Sequence, residues 1–352
     1  MTEKGEIGNA ASAYSAAGVN LDAADAAKRG MRELVATTHG PRVLGGLGGF
    51  GGLYALDGLD LANPVLVSSI DGVGTKLKIA FALGQHESVG ADLVNHCVDD
   101  ILVCGARPLF FLDYLALGRM DETQALAVVR GVATGCRANH CALIGGETAA
   151  MPGFYAPGEY DLAGCIVGIV DRDELITGER IQAGDAVVGF PSVGLHTNGY
   201  SLARRIFEGE DLSAFMPELG RTLGEELLLP HRSYLAAVQP LLAAHLVTGM
   251  VHITGGGLVD NLPRVVPDGL RVVLDAATWE ILPIFRLLQQ RGDVSWAEMQ
   301  RVFNLGLGFL VFCRPDDVAR VLTLSGDCGA RRVGGVRRRA QGEPATVVEG
   351  VG

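Results

Sequence analysis

Two α+β domains are expected of this chain, and three observations lead to them. Its 352 residues are enough for two domains of about 150 residues each. With 48% hydrophobic and 20% charged residues, there is ample material for substantial cores. Short apolar runs alternate with amphipathic helical patterns, and several of those runs end on glycine rims.

The elements follow in order. Residues 12–38 read as a polar lead into a helix, with Ala24, Ala27, Met31, Leu34 and Val35 at helical spacing. The glycine-rich loop 45–52 contains Gly-x-Gly-x-x-Gly at Gly46, Gly48 and Gly51. A dinucleotide fingerprint needs a strand before it and a helix after it, and neither pattern is present. Loops of this composition often cover a nucleotide instead.

An apolar strand then runs from Pro64 to Ile70 and stops on Asp71-Gly72-Val73-Gly74-Thr75-Lys76-Leu77. Phosphate chemistry uses those parts together: a carboxylate for Mg²⁺, open backbone N–H groups, a hydroxyl and a cation. The same heptapeptide also reads as a tight turn with glycine at positive φ. Residues 86–105 form an amphipathic helix on which spacing by four pairs Asn95 with Asp99 and His96 with Asp100. Adjacent acids on an apolar helix are costly unless exposed or used.

A strand at 109–115 follows, then a helix from Glu122 to Ala138 with Asp121 as its N-cap. The strand Cys141–Ile144 ends on Gly145-Gly146-Glu147-Thr148, echoing the Asp71 turn. If the two strand ends converge, Asp71 and Glu147 meet near Asp100 and form a divalent-metal site. An apolar strand, Leu162–Val170, closes the first half, and the charged stretch 171–174 marks a boundary: 1–171 and 172–352.

The second half opens with a strand at 185–190. Gly194–Ser201 then leads into a helix, a place where N–H groups can meet an anion, with His196 and Asn198 adding a titratable ring and an amide. A lone histidine bonding its own loop is the plainer reading of His196. Thr254, Gly255, Gly256 and Gly257 head another helix, followed by Arg264. Asn304–Phe309 leads into a last apolar strand.

The formal charge of −11 excludes a global basic footprint for nucleic acid. The cluster of Arg331, Arg332, Arg337, Arg338 and Arg339 reads as a solvated edge. Seven cysteines without a Cys-x-x-Cys pair point to a reducing compartment. Neither a signal peptide nor an apolar stretch of about 18 residues is found. A soluble cytoplasmic protein with no membrane partner is expected.

The blocks 45–52, 71–77, 95–105, 145–152, 196–201 and 254–257 occur in one order, joined by Gly105-Ala106-Arg107-Pro108-Leu109-Phe110-Phe111-Leu112-Asp113-Tyr114. Together they resemble the phosphoribosylformylglycinamidine cyclo-ligases, the aminoimidazole ribonucleotide synthetases. The resemblance implies a two-domain fold whose N-terminal mixed sheet completes a barrel across a homodimer, beside a C-terminal α+β sandwich. It implies ATP-dependent closure of formylglycinamidine ribonucleotide to aminoimidazole ribonucleotide, through an iminophosphate, in purine (IMP) biosynthesis. A related thiamine-phosphate kinase is the alternative.

Carried onto this chain, the resemblance implies Asp71, Asp100 and Glu147 as Mg²⁺ ligands. Gly48, Gly49, Phe50, Gly51, Thr75, Lys76 and Asp100 would serve ATP. His196 and Asn198, with Asp71, would act at the reacting group. Thr254, Gly255, Gly256, Gly257 and Arg264 would hold the substrate's ribose phosphate. A monovalent cation is a further possible cofactor. The family's lysine late in the first helix falls here at Arg32, with Lys28 a turn earlier.

Overall fold

The computed structural model describes residues 21–46 and 51–351. In the first half, helix α1 (Leu21–Ala36) buries Ala27, Met31 and Val35 at the expected spacing. Then come β1 (Pro64–Gly72), α2 (Leu77–Leu83), α3 (Glu87–Leu102), β2 (Arg107–Leu117), α4 (Glu122–Ala138), β3 (Ala142–Ala150) and β4 (Tyr160–Asp171). The four strands form one sheet in the order β1-β4-β2-β3. Only β2 and β3 run parallel, so the sheet is mixed.

The Asp121 carboxylate caps α4 by accepting from the Gln124 N–H. Helices α3 and α4 touch through glycines: a Cβ on Gly90 would lie 2.3 Å from the Val128 oxygen, and one on Gly131 1.9 Å from the Glu87 oxygen. That approach lets α3 lie on β1 and β4, with α4 beside it. The opposite sheet face is open and apolar, with Leu66 58% and Ile70 73% exposed.

The second half holds β5 (Ala186–Pro191), α5 (Tyr200–Ile206), the short ribbon β6 (Phe215–Met216) and β7 (Arg221–Thr222), α6 (Leu223–Leu227) and α7 (Leu235–Ala243). It continues through β8 (Gly249–His252), α8 (Gly257–Asn261), β9 (Leu270–Asp275), α9 (Pro283–Gly292) and α10 (Trp296–Val302). The chain closes with β10 (Leu307–Cys313), α11 (Val318–Leu324), β11 (Arg331–Arg338) and β12 (Thr346–Glu349). Six strands pair in the order β12-β9-β11-β5-β10-β8. Every residue of β10 is buried, as its unbroken apolar run requires. The arginine cluster is solvated as expected: Arg331, Arg332, Arg337 and Arg338 are exposed at the two ends of β11, itself an interior strand.

The polar stripe of α3 seams the halves together. Asp92 accepts from the His231 N–H at 2.5 Å, Asn95 donates to the His231 carbonyl at 2.7 Å, and Asp99 accepts from the Tyr234 N–H at 2.9 Å. The irregular segment 229–234 thus finds partners for buried backbone groups on a helix. Among the described residues no helix is long and apolar enough to cross a membrane.

Candidate functional site

Where β1 ends, Asp71 meets the side chains that α3 sends out one turn apart, His96 and Asp100. His96 Nε2 is 2.9 Å from Asp71 Oδ2 and 3.8 Å from Asp100 Oδ2. Ser69 donates to Asp100 Oδ2 at 2.9 Å, and His252 Nδ1 lies 2.8 Å from Asp100 Oδ1. Burial opposes charge on Asp71, but the bond and charge of His96 together with the Gly72 N–H outweigh it and hold the carboxyl below its usual range. Asp100 follows the same balance, with His252 as the main opposing partner. Burial also opposes charge on His96, and its bond to Asp71 with the nearby carboxylates raises it above its usual value.

Both carboxylates line a cleft of about 370 Å³ whose opposite wall, from the second half, carries Thr254 and Arg264. Two acids held ionised and facing open space are a fitting donor set for a hard divalent ion. Asp99 is not part of it. Its side chain is fully buried under segment 229–234, and burial pushes its carboxyl well up.

Glu147 is not brought to Asp71. Strands β1 and β3 occupy opposite edges of the sheet, and one register line runs Asp71, Gly164, Asp113, Gly146. Three strand spacings, roughly 14 Å, separate the two ends. Glu147 instead lines a cleft of about 730 Å³ with Lys28, Arg32, Gly46, Gly51 and Thr148. Both basic residues at the late-helix position therefore share a cleft with Gly46, Gly51 and Gly52. Gly48, Gly49 and Phe50 lie outside the described residues.

Lys76 also departs from expectation. Its ammonium is fully buried, 2.7 Å from Asp92 Oδ2, and donates to the carbonyls of Leu229 at 2.7 Å and His196 at 3.1 Å. The short 3₁₀ turn Gly74–Lys76 sends this side chain into the seam rather than toward the turn's mouth. A phosphate has no access to it. Thr75 stays exposed and shares a 3.1 Å hydrogen bond with Ser201, at the start of α5.

His196 is buried, with a left-handed backbone at φ 63°, and its ring stacks on His231 at 4.1 Å. Among the described residues neither ring nitrogen has a partner, and burial holds the ring well below its usual value. To touch a substrate this ring must leave its stack on His231. Asn198 lies against the glycine block, since a Cβ on Gly255 would sit 3.4 Å from its Oδ1. The structure thus brings the 196–198 and 254–257 segments together.

Asn261 organises the second segment and was not singled out as a site residue from sequence. Its amide donates to the carbonyls of Thr254, Gly255 and Gly257, and Arg264 donates to its oxygen at 3.1 Å. Helix α8 is only five residues long, so side chains and loop amides must do most of any anion binding there. Sequence reasoning also passed over His231 and His252. The four-residue spacing that paired His96 with Asp100 was the available signal, and it concerned one helix alone.

Comparison with known proteins places this architecture in a class. Residues 58–170 match the family model "AIR synthase related protein, N-terminal domain", and residues 182–344 the corresponding C-terminal domain. The fold is shared with thiamine-monophosphate kinase from Stenotrophomonas maltophilia, at TM-score 0.66 and 20% identity over 92% of this chain and 96% of that one. The hydrogenase maturation protein HypE, solved in complex with ATP, aligns at TM-score 0.64 and 16% identity over 90% and 88%. Both likenesses are of fold. Within the class, a phosphoribosylformylglycinamidine cyclo-ligase from Desulfitobacterium hafniense is 53% identical over 310 residues, 88% of this chain and 91% of that protein. The chain belongs to the phosphoribosylformylglycinamidine cyclo-ligase family of ligases.

Proposed function

We propose that this enzyme closes formylglycinamidine ribonucleotide to aminoimidazole ribonucleotide with ATP, releasing ADP and phosphate, as a step of purine (IMP) biosynthesis. The observation that carries the reading is the cleft where Asp71 and Asp100 face Thr254 and Arg264 across the two halves. Acids on one wall and an arginine beside a glycine loop on the other suit a metal-bound phosphate opposite a ribose phosphate.

An amide oxygen leaves poorly. Transfer of the γ-phosphoryl to it gives an iminophosphate, and the neighbouring amine then attacks the same carbon and expels phosphate. Attack within one molecule gains most from positioning. Asp71 and Asp100 are the residues to hold Mg²⁺, which when bound offsets phosphate charge. Arg264 and the backbone of Thr254–Gly257 would orient the ribose phosphate. His196, once released from its stack, would act with Asn198 beside the reacting amide.

The cleft of Lys28, Arg32 and Glu147 is proposed for ATP, under the glycine loop. It sits at the sheet edge away from Asp71, and pairing of two copies through the open apolar face would bring one copy's edge toward the other's cleft. The exposed Leu66 and Ile70 support such a homodimer, which burial of apolar area would favour. A barrel closed by the two sheets is the form proposed. We assign the N-terminal half, to residue 171, the nucleotide and metal, and the remainder the substrate loops.

The test is direct. Purified enzyme with ATP, Mg²⁺ and formylglycinamidine ribonucleotide should form the imidazole and release phosphate in equal amounts. Phosphorylation of thiamine phosphate without that reaction would return the assignment to the kinase, with which the likeness is of fold only.

A further inference from the structure

Behind the carboxylate cleft, four imidazoles crowd a sealed space between the halves: His96, His196, His231 and His252, none more than 5% exposed. His252 Nε2 and His231 Nε2 point at each other across 3.1 Å. One ring nitrogen from each of His96, His231 and His252 lies within 4.8 Å of the others. Ligands at about 2.0–2.1 Å from Zn²⁺, at bond angles of roughly 95–109°, stand about 3.0–3.4 Å apart. The His231–His252 separation already meets that.

The outer nitrogens are held as those of metal-bound histidines are. His252 Nδ1 is tied to Asp100 at 2.8 Å and His231 Nδ1 to Thr197 Oγ1 at 3.3 Å, while the two Nε2 atoms share a hydrogen bond that an ion between them would replace. His96 holds Asp71 through Nε2 and Thr197 through Nδ1 at 2.7 Å. Releasing Thr197, which keeps His231 as a partner, frees its Nδ1.

A second observation is that buried polar atoms beside the rings lack partners. Among the described residues Asp99 Oδ2, buried 3.4 Å from His231 Nε2, has no hydrogen-bond partner, and neither has either nitrogen of His196. Buried carboxylates are ordinarily paired or turned toward a cation. Imidazoles without thiolates suit Zn²⁺ and its first-row neighbours, whereas Mg²⁺ prefers an all-oxygen shell.

We propose that His96, His231 and His252 form a site for a Zn²⁺-class transition ion, distinct from the oxygen site of Asp71 and Asp100. The sites are coupled, because those two acids hold the outer nitrogens of two of the three ligands. An ion bound there fixes the acids' orientation without touching substrate. The proposal does not rest on the cyclo-ligase reading.

Untagged full-length protein, stripped with a chelator, is titrated with Zn²⁺ by calorimetry and with Co²⁺ by visible absorption. One ion per chain is expected, with intense Co²⁺ bands of a low-coordinate nitrogen site, undiminished by excess Mg²⁺. His231→Gln should weaken binding more than about tenfold while keeping the wild-type circular dichroism; His252→Gln serves if that variant does not fold. Absence of stoichiometric binding overturns the proposal. So does unchanged affinity in the folded histidine variant, or displacement of Zn²⁺ by Mg²⁺, which would put the ion on the carboxylates.

Discussion

Lys76 Nζ lies 2.7 Å from Asp92 Oδ2, and neither side chain is exposed to solvent. Burial pulls the ammonium down and pushes the carboxyl up, each offset by the other's charge. A pair this enclosed contributes little over an apolar pair, but losing one member is costly because the other stays buried and unpaired. Lys76→Met should therefore lower unfolding stability by about 3–5 kcal/mol. Urea denaturation measures it. A variant of wild-type stability with a raised KM for ATP would restore Lys76 to the phosphates.

Asp71→Asn keeps the shape of the side chain and removes its charge. Turnover should fall roughly 10- to 100-fold, as for loss of a metal-site partner, and more Mg²⁺ should be needed for half-maximal rate. Wild-type turnover with an unchanged Mg²⁺ profile would remove Asp71 from the metal site.

The Asp71–His96 bond also has a pH signature. His96 is raised above its ordinary 6.5, so its contribution is full below that pH and fades as pH rises through the raised value. Asp71 is depressed below its ordinary 3.8, so its contribution holds above that pH and fades as pH falls through the depressed value. The stability gap between wild type and Asp71→Asn should peak at about pH 4–6.5 and shrink on both sides. Denaturation across a pH series traces it, and a flat gap would show that the bond contributes nothing.

Gly257 has φ 58°, and a Cβ there would stand 2.2 Å from the Gln300 oxygen. Gly257→Ala should cost about 1–3 kcal/mol in strain. It should also shift the Thr254–Gly257 loop that Asn261 staples. KM for the ribonucleotide should rise while KM for ATP stays, as steady-state kinetics with each substrate varied will show.

Arg32 faces the glycine loop beside Glu147. If it meets a phosphate, Arg32→Ala removes a charge-assisted bond of roughly 1.5–3 kcal/mol, about 10- to 100-fold in KM for ATP. Lys28→Ala as a parallel variant decides which of the two makes the contact.

The fold was largely legible because its signals are local. The β10 run is apolar throughout, Asp121 caps α4 as its position suggests, and the periodicity of α1 and α3 marks their buried faces. The site was legible where one element carries it, as with His96 and Asp100 one turn apart on α3. What failed was strand order. Nothing in two matching glycine rims tells whether their strands are neighbours or opposite edges, and here β4 and β2 lie between them. Lys76 failed for a related reason: its partner Asp92 is on α3, beyond the intervening α2, and the 3₁₀ turn Gly74–Lys76 sets the side chain's direction.

The seam along α3 bears on how the chain comes apart. Segment 229–234 lies over Asp92 and Asp99, and its His231 and Tyr234 amides donate to those acids. Severed from each other, the halves would each keep a core and lose the surface that makes it soluble: one with acids set among apolar neighbours, the other with a stripped loop. Despite two large sheets and two family models, this molecule should melt in one cooperative transition, its halves separable as matches yet stable only in company.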